Sequence, residues 1–372
     1  MRHVELSYDF GARRQDGWVR NALMDLLHAV QEQGSISAAA RQVGLSYRHV
    51  WGELRRWEAQ LGHPLLVWEK GQRARLAPFG EKLLWAERQA QARLAPQIEA
   101  LHAELERAFA IAFDDGAQVL TLFASHDDGL SLLRGVAAQQ ASLHLDIRFL
   151  GSVDAIAALN AGRCTLAGFH SSQQPGLGSL TQRTYQPLLQ TGRHKLIGFA
   201  ERSQGLMVAP GNPLRLHAMG DLVRWRARFV NRPAGSGTRL LCDELLARDG
   251  IAGADLAGYA REEPAHAAVA QAVASGSADA GLGIAAAARA RGLDFVPLLQ
   301  ERYYLVCLKE ALDTPPVATL RRLLQGAAWQ QQLAALPGYT PWHSGEVLSL
   351  KAQLPWWDLP PKKARRPAQP RG

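Results

Sequence analysis

The pattern of apolar and polar positions divides the chain into a helical N-terminal part and a longer part in which strands and helices alternate. The first helix is predicted over 21–34 by apolar residues three and four positions apart, at Leu23, Leu26, Leu27 and Val30. Ser37 is expected to cap a short helix over 38–43, and Ser46 a second helix over 47–61, with Gly44 between them. This order predicts a helix-turn-helix.

A hairpin and a long helix follow the helix-turn-helix. Residues 64–77 form two short apolar runs around Gly71-Gln72, which predict a β-hairpin wing. From Pro78 to about residue 112 the chain is rich in Leu, Ala, Glu and Arg, and Pro96 is expected to kink the predicted helix. Its apolar stripe favours dimerisation and comprises Leu83, Leu84, Leu94, Ile98, Leu101 and Leu105.

The pattern changes at Asp114-Asp115-Gly116. Short apolar runs then alternate with Ala-rich helical runs, which predicts two α/β lobes with largely parallel sheets. Strands are expected at 119–124, 145–150, 166–169, 196–200, 205–208, 228–230 and 305–309, and helices at 129–140, 153–161, 238–248, 264–275 and 316–335.

The predicted fold class is therefore multidomain. A mainly α winged helix-turn-helix head spans 1–80, a linker and dimerisation helix spans 81–113, and a two-lobed α/β ligand-sensing domain spans 114–350. A basic tail over 351–372 is rich in Pro, Lys and Arg and is expected to be disordered.

Composition narrows the function. The net charge is +8, but five of the positive side chains lie between Lys362 and Gly372, which disfavours a globally basic, DNA-coating protein. The three cysteines are far apart and none has zinc-ligand spacing, and neither a signal peptide nor a membrane span is recognisable, so we expect a cytoplasmic protein with no metal and no membrane partner. GxSxG, P-loop and HExxH motifs are absent from the sequence, which disfavours an enzyme.

The stretch GSISAAARQVGLSYRHVWGELRRWEAQLGHPLLVW resembles the head of LysR-type regulators and, more closely, that of ModE-type molybdate-responsive regulators. The resemblance implies that the chain binds double-stranded DNA as a homodimer or homotetramer, with its second helix in the major groove. Trp51 fits either the core or a contact to the DNA backbone. The expected contacts to bases, flanking phosphates and the minor groove are Ser46, Tyr47, Arg48, His49, Arg55, Lys70, Arg73 and Arg75.

The second half resembles a periplasmic-binding-protein-like domain related to molybdate- and tungstate-binding proteins. The resemblance rests on VLTLFASHDDGLSLL, FLGSVDAIAALNAGRCTLAGFH, VNRPAGSGTRLLCDELL and AVAQAVASGSADAGLGIAAAARARGLDFVPLLQERYYLVCLK. It implies two α/β lobes that close on a small ligand. We therefore expect no cofactor other than a bound oxyanion, molybdate or tungstate, acting as effector.

The residues themselves also favour an anion. A Gly-rich turn opens the helix over 238–248, and two further turns follow predicted strands, so free backbone N–H groups and hydroxyls are expected to meet. The predicted ligand-binding residues are Ser125, His126, Ser152, His170, Arg232, Ser236, Gly237, Thr238, Arg239 and Tyr303.

Alternatives stay open at this point. Such turns also cap helices that bind nothing, the two histidines can be structural, and Arg239 can pair with Asp243 one turn along its helix. A small organic acid such as formate is a second candidate effector. An enzyme fused to a DNA-binding head is a third reading.

Overall fold

The computed structural model describes residues 21–67, 73–113, 116–173 and 175–357. The chain divides into two compact units between Glu99 and Ala100, each with its own hydrophobic core. No helix among the described residues has the length and apolar character needed to cross a membrane.

The first unit is a helix-turn-helix with a hairpin. Its elements are α1 (Ala22–Gln33), α2 (Ile36–Gln42), α3 (Tyr47–Leu61), β1 (Leu66–Val67), β2 (Arg75–Leu76) and α4 (Pro78–Phe113). The strands pair antiparallel, with Leu66 opposite Leu76, so the predicted hairpin is confirmed for its described strands. The predicted turn at Gly71-Gln72 lies outside the described residues.

The start of α2 differs from the prediction. Ser35, not Ser37, is its N-cap, and the Ser35 side chain accepts a hydrogen bond from the Ala38 N–H at 3.4 Å. With this start, Ile36 and Ala39 lie in the core while Ser37 is exposed. The burial of Ile36 therefore favours the earlier cap over the local serine signal.

Helix α4 begins against the core of the first unit. It is 36 residues long in total and continues through Pro96. A Cβ atom placed on Gly80 would lie 2.4 Å from the Leu65 carbonyl oxygen, so the first turn of α4 approaches the chain before β1 as only glycine allows. Further along, Leu94 and Leu101 are large apolar side chains that remain exposed.

The second unit is built on one nine-stranded sheet. Its strands are β3 (Gln118–Ala124), β4 (Leu143–Phe149), β5 (Leu166–Ser172), β6 (His194–Val208), β7 (Phe229–Val230), β8 (Ala280–Ile284), β9 (Asp294–Leu308), β10 (Tyr339–Pro341) and β11 (Val347–Leu348). Their order is β4-β3-β5-β9-β6-β8-β7, and β10 and β11 pair with β6.

Helices cover the sheet. They are α5 (Asp128–Ala141), α6 (Ser152–Asn160), α7 (Leu180–Tyr185), α8 (Met219–Arg224), α9 (Gly237–Arg248), α10 (His266–Ala274), α11 (Ala285–Arg289), α12 (Pro315–Gln325), α13 (Ala327–Ala334) and α14 (Leu350–Gln353). Gly326 is extended and ends α12, so the helix predicted over 316–335 is two helices.

Two long strands join the two predicted lobes. The strands β6 and β9, of 15 residues each, pair antiparallel from end to end. The first lobe adds β3, β4 and β5 with α5 and α6, and the second lobe adds β7 and β8 with α9, α10 and α11. The pairing shifts register between Gln204 and Gly205, where β6 passes from one lobe to the other.

The sheet is mixed rather than largely parallel. Parallel pairs occur only between β3 and β4, β3 and β5, and β7 and β8 among the described strands, while β6 and β9 run antiparallel to their neighbours. The strands predicted at 196–200 and 205–208 are one strand, β6. The polar segment 201–204 lies between the two predicted strands, but Arg202 and Gln204 are buried within β6.

Candidate functional site

Buried polar groups without partners collect where strands end and helices begin in the second unit. Six such side chains are each less than a tenth exposed and carry at least one nitrogen or oxygen that has no hydrogen-bond partner in the described structure: Ser125, Ser152, His170, Arg232, His266 and Tyr303. Buried polar groups are normally hydrogen-bonded. We call these six side chains the polar cluster.

The first lobe supplies one wall of the polar cluster. His170 on β5 lies directly opposite Tyr303 on β9, and their rings are 4.0 Å apart between centroids. A Cβ atom placed on Gly168 would lie 2.6 Å from the Tyr303 hydroxyl, which places that hydroxyl beside β5 near the end of β3. Ser125 directly follows β3. These groups therefore lie at one end of the parallel strands, where open α/β sheets bind ligands.

Two helix starts meet at the polar cluster. A Cβ atom placed on Gly237, the first residue of α9, would lie 3.0 Å from His170 Nδ1 and 3.3 Å from Ser152 Oγ. One placed on Gly151, before α6, would lie 2.6 Å from the Gly235 carbonyl oxygen. The turns before α6 and α9 are thus in contact, and their free N–H groups and helix dipoles favour negative charge between them.

Arg232 is the uncompensated charge of this region. It is 4% exposed, and its Nε and Nη1 have no hydrogen-bond partner. Burial and, to a smaller extent, the neighbouring Arg202 together lower the pKa of Arg232 to about 10. In contrast, the equally buried Arg202 forms ion pairs with Asp127 and Glu301.

Both histidines of the polar cluster are held neutral. Burial lowers the pKa of His170 well below its usual range, and Arg202 and Arg232 add to the effect. The pKa of His266 is lowered in the same way, by burial first and then by Arg232 and Arg202. A neutral imidazole keeps one N–H donor and one acceptor nitrogen. The positive charge that faces a ligand therefore comes from Arg232.

This set of groups suits an oxyanion. Hydroxyls, imidazole N–H groups, helix-start N–H groups and one guanidinium can all donate hydrogen bonds, and the guanidinium carries a positive charge that complements an oxyanion. The described parts of the chain contain no group of three or more His, Cys, Asp or Glu side chains placed to bind a metal ion.

The first unit offers a separate polar surface at the start of α3. Ser46 caps this helix, accepting from the His49 N–H at 3.2 Å, and residues 44–49 are exposed. Val50 and Leu54 are buried, so the opposite face of the helix packs into the core. The exposed start of the helix is thus free to approach a partner.

An aromatic and ionic ladder links α3 to the hairpin. The Tyr47 and Trp51 rings stack at 6.3 Å, and the Arg55 guanidinium lies 4.5 Å above the Trp51 ring. Arg55 Nη1 donates to Glu58 Oε2 at 3.0 Å, while Glu58 Oε1 accepts from the Leu65 N–H at 2.8 Å. Arg55 is therefore held on two sides and keeps free N–H groups toward solvent.

The family follows from comparison with known proteins. Residues 133–325, slightly more than half of the chain, match the model of the PBP superfamily domain. The chain belongs to the PBP superfamily. Residues 22–81 match the bacterial regulatory helix-turn-helix proteins of the lysR family, so the PBP domain follows a LysR-type head. The chain thus combines the helix-turn-helix head of a LysR-type regulator with a PBP superfamily domain.

Three relatives illustrate the range of similarity. The uncharacterized protein YvgK of Bacillus subtilis (strain 168) is 32% identical over 201 residues, which cover 54% of this chain and 64% of YvgK. The molybdenum-pterin-binding protein MopB of Rhodobacter capsulatus is 43% identical over 65 residues, 16% of this chain and 24% of MopB. A mutant of Corynebacterium glutamicum OxyR aligns at 17% identity with a TM-score of 0.40, covering 82% of this chain and 92% of that one. The chain thus spans less than two thirds of YvgK.

The PBP domain brings together five of the residues predicted to bind a ligand: Ser125, Ser152, His170, Arg232 and Tyr303. Gly237 lies against two of them. Thr238 Oγ1 accepts from Gln204 Nε2 at 3.2 Å and lies 3.5 Å from His266 Nε2. His126 lies just outside the polar cluster, with its ring 4.8 Å from that of Phe149.

Two predicted ligand residues of the PBP domain are occupied elsewhere. The Ser236 hydroxyl caps α9, donating to the Pro233 carbonyl at 2.8 Å and accepting from the Arg239 N–H at 3.2 Å. Arg239 pairs with Asp243 at 3.1 Å and with Glu262 at 2.9 Å. Arg239 thus forms the alternative pair with Asp243 that the sequence left open, whereas Arg232 has no ion pair among the described residues.

In the head, the predicted DNA contacts lie on two segments. Tyr47, Arg48 and His49 are exposed in the first turn of α3. Arg73 and Arg75 are exposed on the strand side of the hairpin, where the Ala74 N–H donates to the Gly34 carbonyl at 3.0 Å. Lys70 lies outside the described residues.

Several residues of the PBP site were missed by the sequence analysis. They are Asp127, Arg202, Gln204, His266 and Glu301. Gln204 Nε2 donates to Glu301 Oε1 at 3.0 Å, which ties the ion pairs of Arg202 to Thr238 at the start of α9. A usable signal was present, because polar residues two apart inside apolar strands, such as Arg202 and Gln204, point to a buried polar face.

Proposed function

We propose that this LysR-type protein is a DNA-binding transcriptional regulator whose PBP domain binds a small anionic effector at the polar cluster. The observation that carries the proposal is Arg232, a buried guanidinium with two unpartnered nitrogens and no ion pair within the described chain. An unpaired buried charge is costly, whereas a bound oxyanion would supply both the opposite charge and the missing acceptors.

Molybdate and tungstate are the first candidates for the anion. Their oxygens accept hydrogen bonds from several directions, which suits hydroxyls and N–H groups that reach the polar cluster from both lobes. The name of the relative MopB, a molybdenum-pterin-binding protein, is in keeping with this class.

A small organic acid such as formate is the second candidate, and one feature favours it. The planar guanidinium of Arg232 can donate two parallel hydrogen bonds to the two oxygens of a carboxylate, and two neutral histidines lie near it. Molybdate, tungstate and formate are therefore the probes for a first experiment.

The experiment measures anion binding to the full chain by calorimetry and thermal shift. The double variant Ser125→Ala, Ser152→Ala removes two unpartnered hydroxyls and should weaken binding by about 0.5–1.5 kcal/mol for each lost hydrogen bond. Ser236→Ala is the matched control, because its hydroxyl already caps α9, so it should lower stability by about 1 kcal/mol and change affinity less. Native-like binding by the double variant would place the site elsewhere.

DNA binding is assigned to the exposed start of α3, acting in a symmetric homodimer or homotetramer. Arg48→Ala should cost about 1–3 kcal/mol and relax specificity at one base position if Arg48 reads a base. Arg55→Ala should weaken binding about equally on all sequences and lower its salt dependence, as expected of a phosphate contact. A gel-shift series over operator variants and salt concentrations separates the two roles, and unchanged binding by both variants would remove α3 from the interface.

A further inference from the structure

A cavity of about 180 Å³ lies beside the polar cluster, between the two lobes of the PBP domain. His126 and Asp128 line it from the start of α5 in the first lobe, and His266, Ala267, Ile284 and Ala287 line it from the second lobe. A water molecule takes up about 30 Å³ in the liquid, so the cavity has room for roughly six waters or for several heavy atoms of a ligand.

The lobes are already in contact on the other side of the polar cluster. There the turns before α6 and α9 approach so closely that a side chain at Gly151 would collide with the Gly235 carbonyl. Gly237 also lies close to His170, since a Cβ atom placed on it would lie 3.0 Å from His170 Nδ1. Because these turns are already in contact, the two lobes have little room to approach each other further when an anion binds there. The cavity near α5, α10 and α11 should therefore persist when the lobes are closed.

His266 connects the cavity to the polar cluster. Its Nε2 lies 3.5 Å from Thr238 Oγ1 at the start of α9, whereas its buried Nδ1 has no partner in the described structure. Ser125 of the polar cluster directly precedes His126 of the cavity wall. A ligand held by Arg232 and the hydroxyls can therefore extend past His266 into the cavity.

The walls of the cavity differ in chemistry. Ala267, Ile284 and Ala287 form an apolar wall whose small alanine side chains leave the space open. The remaining lining is polar or charged, with His126, Asp127 and Asp128 on the facing lobe and with His266 and Arg291. A lining that combines an apolar wall with polar groups is typical of sites for small organic ligands.

We propose that the cavity is a second compartment of the effector site and that it takes a substituent attached to the anionic group. The effector is then an organic anion larger than formate, with a carboxylate or similar oxyanion at Arg232 and a partly apolar group of several atoms in the cavity. This inference rests on the proposed anion site, and between the two candidate effectors it selects the organic acid.

The test is a chain-length series of carboxylates on the full chain, measured by calorimetry with formate, acetate, propionate and butyrate, and with molybdate for comparison. Each methylene that enters an apolar compartment raises affinity about fourfold, so butyrate should bind on the order of fifty times more tightly than formate. Ala287→Leu should fill the cavity and remove this gain while formate binding stays unchanged.

Ala267→Leu is the second filling variant, since Ala267 is only half-buried and tolerates a larger side chain more readily. Ala257→Leu is an exposed control that should leave the whole series as in the native protein. A flat series, or molybdate binding above every carboxylate in the native protein and both filling variants, overturns the second compartment. Failure of the anion site itself is different: no anion, short or long, would then bind at all.

Discussion

Replacing Arg232 by methionine should stabilise the ligand-free protein while it removes anion binding. Displacing a pKa by one pH unit corresponds to about 1.4 kcal/mol. Burial and the nearby Arg202, which together lower the pKa of Arg232 to about 10, therefore cost its charged form on the order of 3 kcal/mol. Methionine has a similar length and no N–H groups to satisfy. We therefore expect Arg232→Met to raise the free energy of unfolding by about 1–3 kcal/mol.

Arg202→Met is the matched control, because both arginines are buried and only Arg202 is paired. Its loss leaves Asp127 and Glu301 as buried, uncompensated carboxylates, which should cost about 3–5 kcal/mol. The two variants are thus expected to change stability in opposite directions.

The assay is thermal unfolding of extensively dialysed protein, with and without the anion identified by calorimetry. In a domain of this size, 1 kcal/mol moves the midpoint by about 2–4 °C, so the unfolding transition of the PBP domain should rise by about 2–12 °C in Arg232→Met. The anion should raise that midpoint in the native protein and leave it unchanged in the variant. If Arg232→Met destabilises the ligand-free protein as Arg202→Met does, Arg232 has a structural partner and the reasoning is refuted.

Three further predictions concern the head, the histidines and the long helix. Glu58→Gln keeps an acceptor for the hairpin N–H groups but loses the ion pair that holds Arg55 in place. Fluorescence anisotropy should therefore show a DNA affinity that is reduced several-fold, with little loss of stability. Unchanged DNA affinity would contradict the role of Glu58 in positioning Arg55. His170 and His266 stay neutral in the folded protein, whereas in the unfolded chain they take up protons below the usual pKa of 6.5. The free energy of unfolding is therefore highest above that pH and should fall by roughly 2 kcal/mol between pH 7 and pH 5.5. Urea unfolding at both pH values should show most of this loss disappearing in the double variant with asparagine at both positions, and an unchanged loss would assign it to other groups. The exposed Leu94 and Leu101 on α4 favour self-association. Light scattering should therefore show a dimer or tetramer for the native chain and a smaller species for the double variant Leu94→Asp, Leu101→Asp. A native monomer at micromolar concentration would contradict this prediction.

Helices and turns were readable from the sequence because their signals are local. Ser46 was predicted as a helix cap and acts as one, since a cap depends on residues three positions apart. Ser236 was predicted to bind the ligand, and its hydroxyl caps α9, as the alternative interpretation of that turn allowed. Ser37 failed as a predicted cap because Ser35 serves equally well locally, and only the burial of Ile36 decides between them. Local signals thus locate an element, and packing sets its first residue.

The continuity of the long strand β6 could not be predicted from local signals. The polar segment 201–204 separates two apolar runs, which were predicted as two strands. In the structure β6 continues through it, because Arg202 meets Asp127 and Glu301, which lie far away in the sequence. The spacing of Arg202 and Gln204 indicates a buried polar face, but the sequence near the segment does not identify their distant partners.

The sequence by itself determined the helix-turn-helix head, the alternating α/β half, and the serine, glycine and arginine turns from which an anion site can be built. Only the tertiary structure decided which of those groups are available. In the sequence, Arg239 and Ser236 were as plausible ligand-binding residues as Arg232 and Ser152. In the structure, Arg239 is paired with Asp243 and Glu262, and the Ser236 hydroxyl donates to Pro233. Arg232 and Ser152, in contrast, keep polar atoms without a partner in the described structure. Whether a buried donor is free depends on what folds against it, and Glu262 reaches Arg239 from 23 residues away.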